Sequence, residues 1–291
     1  MRTLRVYFGV IERTCNHMPS REEVASLRVG DRSFAEIAEI VKNQPSQFMG
    51  VGNYPPDKDQ RYCRFFDLSD CLKSVVFMHW GLWEAGAEAS SVLQAGTDIA
   101  VDYFYGDYVR WPDYAECMER RPDNDNLEWA EVFRDGLFLG LLAGDDSACS
   151  RLAEWVTPDL PYDEAFYDLT PADNAWLKLV SFLIRGVSFD RAECQPLIES
   201  IAKARTKRAK LLLEPLVAIE QADQDSLLPA MAAWMRHYLK REFAKEMFPD
   251  YVTIEGSIVT ALAKRKGMSL EGLPGDLLSA IVTRKSLGIE G

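Results

Sequence analysis

The sequence predicts an all-α protein built from stacked helical hairpins, an irregular array that resembles an α-solenoid. From Asp67 onward, apolar residues recur at helical spacing, and no alternating Val/Ile/Thr series typical of strands occurs. In addition, the stretch 140-GLLAGDDSACSRLAEW-155 returns 79 residues later as 219-IEQADQDSLLPAMAAW-234. Repetition of a helix–turn–helix pattern is typical of folds in which each hairpin buries its apolar face against the next.

The repeated unit spans residues 127–156 and 206–235, and the two stretches quoted above share five identical residues without a gap. In each copy an apolar helix is followed by a polar turn and a second helix. Asp and Ser side chains at a helix start accept hydrogen bonds from the free backbone amides of the first turn. We therefore predict that Asp146 or Ser147 caps the second helix in the first copy. In the second copy we predict Asp225 or, better, Ser226.

The first sixty residues are harder to assign. The segment SFAEIAEIVK, which follows Asp31, has helical spacing, whereas 43-NQPSQFMGVGNYPPDKDQ-60 is rich in Pro, Gly, Asn and Gln and is typical of a loop. We expect residues 1–60 to form a helical or irregular N-terminal segment, either separate or packed on the main body. Residues 61–291 are expected to form the helical main domain.

Composition and charge argue against several functions. The chain of 291 residues has a net charge of −12, which argues against nucleic-acid binding because that affinity needs a basic face. Negative charge permits a basic protein partner. The six cysteines include no C-x-x-C pair, which favours free thiols in a reducing compartment. No segment approaches the roughly 18 apolar residues of a membrane span. We expect a cytoplasmic protein that binds no membrane.

The residues show no recognisable catalytic pattern. His17, His79 and His237 lack the spacing of zinc ligands, and the nucleophile-elbow, P-loop and Rossmann glycine patterns are missing. Carboxylates at i,i+3 spacing, such as Asp67 with Asp70, are common on solvated helix faces. We therefore expect no catalytic residue, metal or cofactor. The enzymatic alternative is an all-α metal-dependent hydrolase with carboxylates on facing helices.

An acidic run lies at the entry to the repeat, and two interpretations of it remain open. It can be a solvated helix entry, where the helix dipole favours acids, or a docking patch for a basic partner. In either case we expect the carboxylates to project from a loop and from the solvent face of a helix. The candidate partner-binding residues are Asp123, Asp125, Glu128, Glu131 and Asp135.

Two stretches carry a resemblance to a known family. The first, 137-LFLGLLAGDDSACSRLAEW-155, is a helix that ends at Gly-Asp before a second helix with Leu-Ala. The second, 261-ALAKRKGMSLEGLPGDLLSAIVTRKSLG-288, has a Lys/Arg-Gly stop, a Leu-Pro element and a closing basic-Ser-Leu-Gly. Together they resemble the bacterial immunity proteins of polymorphic-toxin systems, particularly the mostly helical family called immunity protein forty-nine.

This resemblance implies a non-enzymatic protein that binds and neutralises a cognate toxin by occluding its active site. Such toxins include basic nucleases and deaminases, delivered by contact-dependent or type VI secretion. The alternative is a helical-repeat scaffold or adaptor that binds an endogenous protein partner. The sequence leaves open whether two copies pair as a homodimer through an apolar helical face.

Overall fold

The computed structural model describes residues 20–29, 32–43, 60–84, 87–105, 129–160, 170–243 and 251–289. Within these ranges the chain forms twelve α-helices and one two-stranded antiparallel sheet, in which Arg28 pairs with Ser33. The predicted all-α class is confirmed. The elements are α1 (Arg21–Ser26), β1 (Arg28–Val29), β2 (Arg32–Ser33), α2 (Phe34–Asn43), α3 (Gln60–His79), α4 (Ala87–Tyr105), α5 (Trp129–Ala143), α6 (Asp146–Trp155), α7 (Pro171–Ile184), α8 (Gln195–Lys203), α9 (Lys207–Glu220), α10 (Gln224–Arg241), α11 (Ile254–Arg265), α12 (Gly275–Leu278) and a 3₁₀ turn (Lys285–Leu287).

Helix α5 lies at the centre of the fold and contacts α3, α4, α6, α7 and α11. Its sequence, WAEVFRDGLFLGLLA, is apolar around most of its circumference, as a helix enclosed by others requires. Helix α4 crosses α5 closely at Gly136, where an added Cβ would collide with Ala100. A larger residue at Gly136 would therefore push α4 away from the core.

Helices α5–α6, α7–α8 and α9–α10 form three consecutive hairpins. In the first and third, which contain the repeated sequence, the turn has the same geometry. Gly144 and Ala222 take left-handed backbone conformations with φ of 80° and 54°. The amides of Asp145 and Asp223 then donate to the carbonyls five residues earlier, at 3.0 and 2.8 Å. Because the equivalent turn residues lie 78 positions apart, the 79-residue register inferred from sequence identity is wrong by one residue.

The helix caps differ from the predicted residues. Asp145 accepts a hydrogen bond from the amide three residues on, at 2.9 Å, and Asp223 accepts bonds from two amides at 3.1 Å each. The left-handed residue before each Asp ends the first helix and leaves that Asp with the non-helical backbone of a cap. The capping prediction was therefore wrong. The four residues it named lie in the first turns of α6 and α10: Asp146, Ser147, Asp225 and Ser226.

The C-terminal segment packs along α11 and α3. The amide of Val282 donates to the Ser257 hydroxyl at 2.9 Å. On α3, the His79 ring contacts the Ser279 carbonyl at 2.7 Å and the Ser286 hydroxyl at 2.9 Å. The segment is thus held on both sides by specific polar contacts.

The described N-terminal residues also pack on the main body. Phe34 at the start of α2 stacks on Tyr251, with ring centroids 4.3 Å apart. The Trp83 indole donates to the Ala38 carbonyl at 3.0 Å. Phe34 and Ala38 of α2 therefore belong to the core of the helical domain. No helix within the described ranges is both long and apolar enough to cross a bilayer.

Candidate functional site

The two members of the predicted acidic patch that the structure describes are not on an exposed face. Asp135 is only 5% exposed, and Glu131 is half-buried. Both contact Arg134, at 2.7 Å from its Nε and 3.6 Å from its Nη2. The predicted solvent-facing position is wrong for them because α11 packs on this part of α5. Asp123, Asp125 and Glu128 lie outside the described residues, and the partner-binding role stays a prediction.

A set of charged side chains joins α5, α7, α9 and α11 with the end of α10. Arg208, in the first turn of α9, lies at its centre. Its Nη2 donates to Glu255 at 2.8 Å, its Nε donates to Glu242 at 3.2 Å, and its Nη1 bonds Asp173. Glu255 also lies 4.0 Å from Arg134, so this carboxylate links both arginines. We call this set the ionic cluster: Glu131, Arg134, Asp135, Asp173, Arg208, Glu242 and Glu255.

Helix starts explain why these carboxylates meet. Asp173 and Glu255 lie in the first turns of α7 and α11, where the helix dipole favours negative charge. Asp173 also accepts hydrogen bonds from the amide and hydroxyl of the N-cap Thr170, at 2.9 and 2.7 Å. This reciprocal capping box fixes the carboxylate at the helix end. Arg208 therefore connects two helix N-termini that would otherwise bring like charges together.

The cluster contains five carboxyls and two guanidinium groups, and this imbalance affects protonation. Burial raises the pKa of Glu242 to about 7, against the opposing effect of Arg208. The neighbouring His237, 3.4 Å from Glu242, has its pKa lowered by burial and by Lys207. A carboxyl that titrates near neutral pH is suited to acid–base chemistry. Here it faces an arginine of the same chain, which fits a structural ion pair as well.

A groove of about 940 Å³ opens at the opposite end of α5. It lies between the end of α5, one face of α11 and the segment 282–289. Its apolar lining comes from all three elements: Leu141, Leu142, Ala261, Val282 and Ile289. Its cationic residues are Lys264, Arg265, Arg284 and Lys285. We call this surface the C-terminal groove.

The cations of the C-terminal groove fall into two pairs. Arg265 forms an ion pair with Asp146, and the Arg284 guanidinium donates to two carbonyls at the end of α5, at 2.9 and 2.8 Å. The two arginines thus fasten the walls of the groove. Lys264 and Lys285 are exposed and form no ion pair or hydrogen bond with any other described residue. Their charges are available to a ligand.

Sequence reasoning did not single out these four cations as a site. The only signal was two short basic runs, at 264–266 and 284–285, each of which follows an apolar stretch. Their convergence depends on the path of the C-terminal segment along α11. Backbone contacts such as the 2.9 Å bond from the Thr253 amide to the Ala280 carbonyl set that path. Helical periodicity carries no information about such contacts.

No group of three or more His, Cys, Asp or Glu side chains in the described ranges is arranged to hold a metal ion. Comparison of the chain with protein-family models, with curated proteins and with solved structures finds no match. The assignment of a site therefore rests on the chain's own geometry. The C-terminal groove combines volume, an apolar lining and unpaired charge, which together are typical of a binding site.

Proposed function

We propose that the protein acts by binding another protein, and that it is an immunity protein which neutralises a cognate bacterial toxin. The observation that carries the proposal is where the two family-like stretches lie. The stretches 137–155 and 261–288 are far apart in the chain, yet together they supply twelve of the fifteen residues that line the C-terminal groove. A single surface thus unites the parts of the sequence that suggested the function.

The chemistry of the groove favours a macromolecular partner. Specific protein interfaces combine an apolar centre with a polar rim, and the lining of the groove supplies both apolar and charged side chains. Its walls are joined by the Arg265 and Arg284 contacts described above, so the surface is formed before a partner arrives. Preorganisation of this kind lowers the entropic cost of association. A toxin held here would be blocked by steric occlusion and would need no reaction in the immunity protein.

The net charge of −12 supports a basic toxin, such as a nuclease or deaminase, as the partner. A negative field attracts a basic domain over distances longer than direct contact. We place the interaction in the cytoplasm, where a neutralising protein would meet an imported toxin. The buried, free thiols of Cys71, Cys149 and Cys194 suit that reducing compartment.

Co-purification followed by protection tests the proposal. The tagged protein is recovered from its source bacterium, and the co-purifying proteins are identified by mass spectrometry. The candidate toxin domain is then expressed in a sensitive host with and without this protein. We expect a stoichiometric complex and restored growth. A partner that is harmless to the host, or toxicity that persists despite co-expression, contradicts the proposal.

The second candidate function is a helical scaffold for an endogenous partner, and the repeated turn geometry of α5–α6 and α9–α10 favours it. Stacked hairpins are a common architecture of binding scaffolds. The same protection assay separates the two functions, since a scaffold forms a complex without rescuing growth. Metal analysis of the purified protein tests the alternative of a metal-dependent hydrolase.

A further inference from the structure

The C-terminal groove is a local reversal of the charge of this protein. The chain as a whole carries twelve excess negative charges. The described residues that line the groove include four cations and a single acid, Asp146. Because Asp146 is neutralised by Arg265, the groove keeps a net positive charge in a chain that is acidic overall.

Three cations carry that charge: Arg284, whose partners are uncharged carbonyls, and the two exposed lysines. Lys264 lies in the last turn of α11, and Lys285 begins the 3₁₀ turn of the segment 282–289, which forms another wall of the groove. Arg265 and Arg284 are engaged in holding α5 and α6 against α11 and the C-terminal segment. A mobile ammonium on a long side chain can meet a carboxylate without disturbing those contacts.

The lining also contains apolar side chains from all three walls, and we call these residues the floor: Leu141, Leu142, Ala261, Val282 and Ile289. On α11, the polar Ser257 and Thr260 lie on the same face of the helix as Ala261, and Lys264 follows one turn later. A ligand that matches the groove must therefore bring apolar groups to the floor and negative groups to the rim.

Three kinds of anionic ligand meet part of this requirement, and one meets all of it. A nucleic-acid strand carries phosphates along its whole length, and those beyond the groove would meet the acidic remainder of the protein. A fatty acid has a single carboxylate for two lysines. An amphipathic peptide segment presents apolar side chains on one face and several carboxylates beside them, as in peptides that lie in apolar grooves.

We propose that the C-terminal groove binds an acidic, amphipathic segment of the partner, with its apolar side chains on the floor and its carboxylates on Lys264 and Lys285. This inference rests on the proposed function, because the segment would belong to the toxin. The overall negative charge of the protein attracts a basic toxin domain at long range. The groove then recognises a local acidic element of that domain and fixes its orientation.

A defined peptide tests the inference. The probe is a short fluorescein-labelled helical peptide with leucines on one face and glutamates beside them. Its counterpart carries lysines in place of the glutamates. Binding is measured by fluorescence anisotropy on the full chain, with the double variant Lys264→Glu/Lys285→Glu. The matched control is Lys240→Glu/Lys266→Glu, since both lysines are exposed and neither lines the groove. Circular dichroism verifies that both variants are folded.

We expect the glutamate peptide to bind the native chain and the control variant with equal affinity. It should bind about tenfold more weakly to the groove variant, because that variant loses two partly exposed ion pairs. The lysine peptide should prefer the groove variant. Equal binding of the glutamate peptide to native chain and groove variant overturns the inference, as does no binding at all. It is also overturned if dodecanoate or anionic vesicles bind through the lysines and the peptide does not. A native homodimer that the groove variant dissociates would make a second copy the occupant instead.

The peptide measurement contains no toxin, so its failure is distinct from failure of the proposed function. A native chain that neutralises a toxin but ignores the glutamate peptide overturns the groove inference alone. A native chain that binds the peptide through the lysines but neutralises no toxin overturns the immunity function and leaves the binding surface in place.

Discussion

The hairpins α5–α6 and α9–α10 share a turn geometry, yet they occupy different environments. Helix α5 is enclosed on nearly every side, and its last residues line the C-terminal groove beside Lys264 and Arg284. The turn after α9 contacts a different part of the chain, where the side chain of Gln224 bonds the backbone of Ser269 at 2.7 and 2.9 Å. A repeated backbone motif therefore does not repeat the surface chemistry, which depends on what packs beside it.

The first helices of the two hairpins also share an electrostatic feature. Arg134 in the first and Arg208 in the second both enter the ionic cluster, and the carboxylates hold the pKa of both guanidinium groups above the ordinary value despite burial. Each hairpin is thus joined to the rest of the fold by an arginine of the ionic cluster, and we call Arg134 and Arg208 the electrostatic anchor. The feature that differs is the groove. The variants below separate stability, which we assign to the anchor, from binding, which we assign to the groove.

Loss of an anchoring arginine should have the largest effect. Arg208→Met leaves Asp173, Glu242 and Glu255 facing one another in a partly buried site, and Arg134→Met leaves Asp135 without its partner. Breaking a buried ion pair by removing one member costs about 3–5 kcal/mol, and we expect losses of this size in urea unfolding. The control is Lys203→Met, whose ion pair with Glu199 is 76% and 63% exposed, where the loss should be far smaller because solvent screens the pair. Equal losses of unfolding free energy in Arg208→Met and Lys203→Met would contradict the stabilising role of the anchor.

Glu242 should make stability depend on pH. Its pKa is raised in the folded state from 4.5 to about 7, so the folded chain binds this proton more tightly than the unfolded chain. The resulting penalty is absent below about pH 4.5, grows as pH rises and is fully present above about pH 7. Relative to Glu242→Gln, the native chain should lose up to about 3 kcal/mol between about pH 5 and about pH 8. If the unfolding free energies of the two chains change in parallel with pH, the pKa of Glu242 is not raised in the folded state, and the prediction is contradicted.

The two equivalent turns should respond to substitution with opposite signs. Gly144→Ala places a Cβ in a left-handed conformation and 3.3 Å from Arg284, so we expect a loss of about 1 kcal/mol. Ala222→Gly removes the same backbone strain, which is partly offset by the greater freedom of glycine in the unfolded chain. We expect this variant to lie between neutral and about 1 kcal/mol more stable. Thermal unfolding of the pair checks the prediction, and destabilisation by Ala222→Gly would contradict the equivalence of the turns.

The repeat illustrates what the sequence could predict. Helical periodicity predicted the class and the paired helices α5–α6 and α9–α10. The 79-residue register was chosen because it aligns identical residues such as Trp155 and Trp234. It misaligns the two turns by one residue. In the structural register Gly144 is equivalent to Ala222, and alanine gives no sequence signal of a left-handed conformation. The caps were misassigned for the same reason.

The ionic cluster and the C-terminal groove could not be predicted from the sequence. Arg134 and Asp135 are charged residues on a mostly apolar helix, and such residues are usually assigned to solvent. Arg134 pairs with Asp135 and with Glu255, which is 121 residues away in the chain. The groove likewise depends on the C-terminal segment lying along α11. Both sites are products of long-range packing, which a local pattern does not encode.

Reversal of the groove lysines should have the smallest effect on stability. Lys264 and Lys285 are exposed, so Lys264→Glu/Lys285→Glu should change the unfolding free energy by less than about 0.5 kcal/mol. The same variant should have a large effect on recognition. This contrast with the arginine variants is what separates the groove from the anchor.

The most direct test of the account is the affinity of the co-purified toxin domain for the native chain, the groove variant Lys264→Glu/Lys285→Glu and the control Lys240→Glu/Lys266→Glu. Calorimetry or surface-based kinetics would supply the dissociation constants. The account predicts that the groove variant binds about tenfold or more weakly while the control binds as the native chain does. Unchanged affinity in the groove variant would contradict the claim that this protein binds its partner through the C-terminal groove.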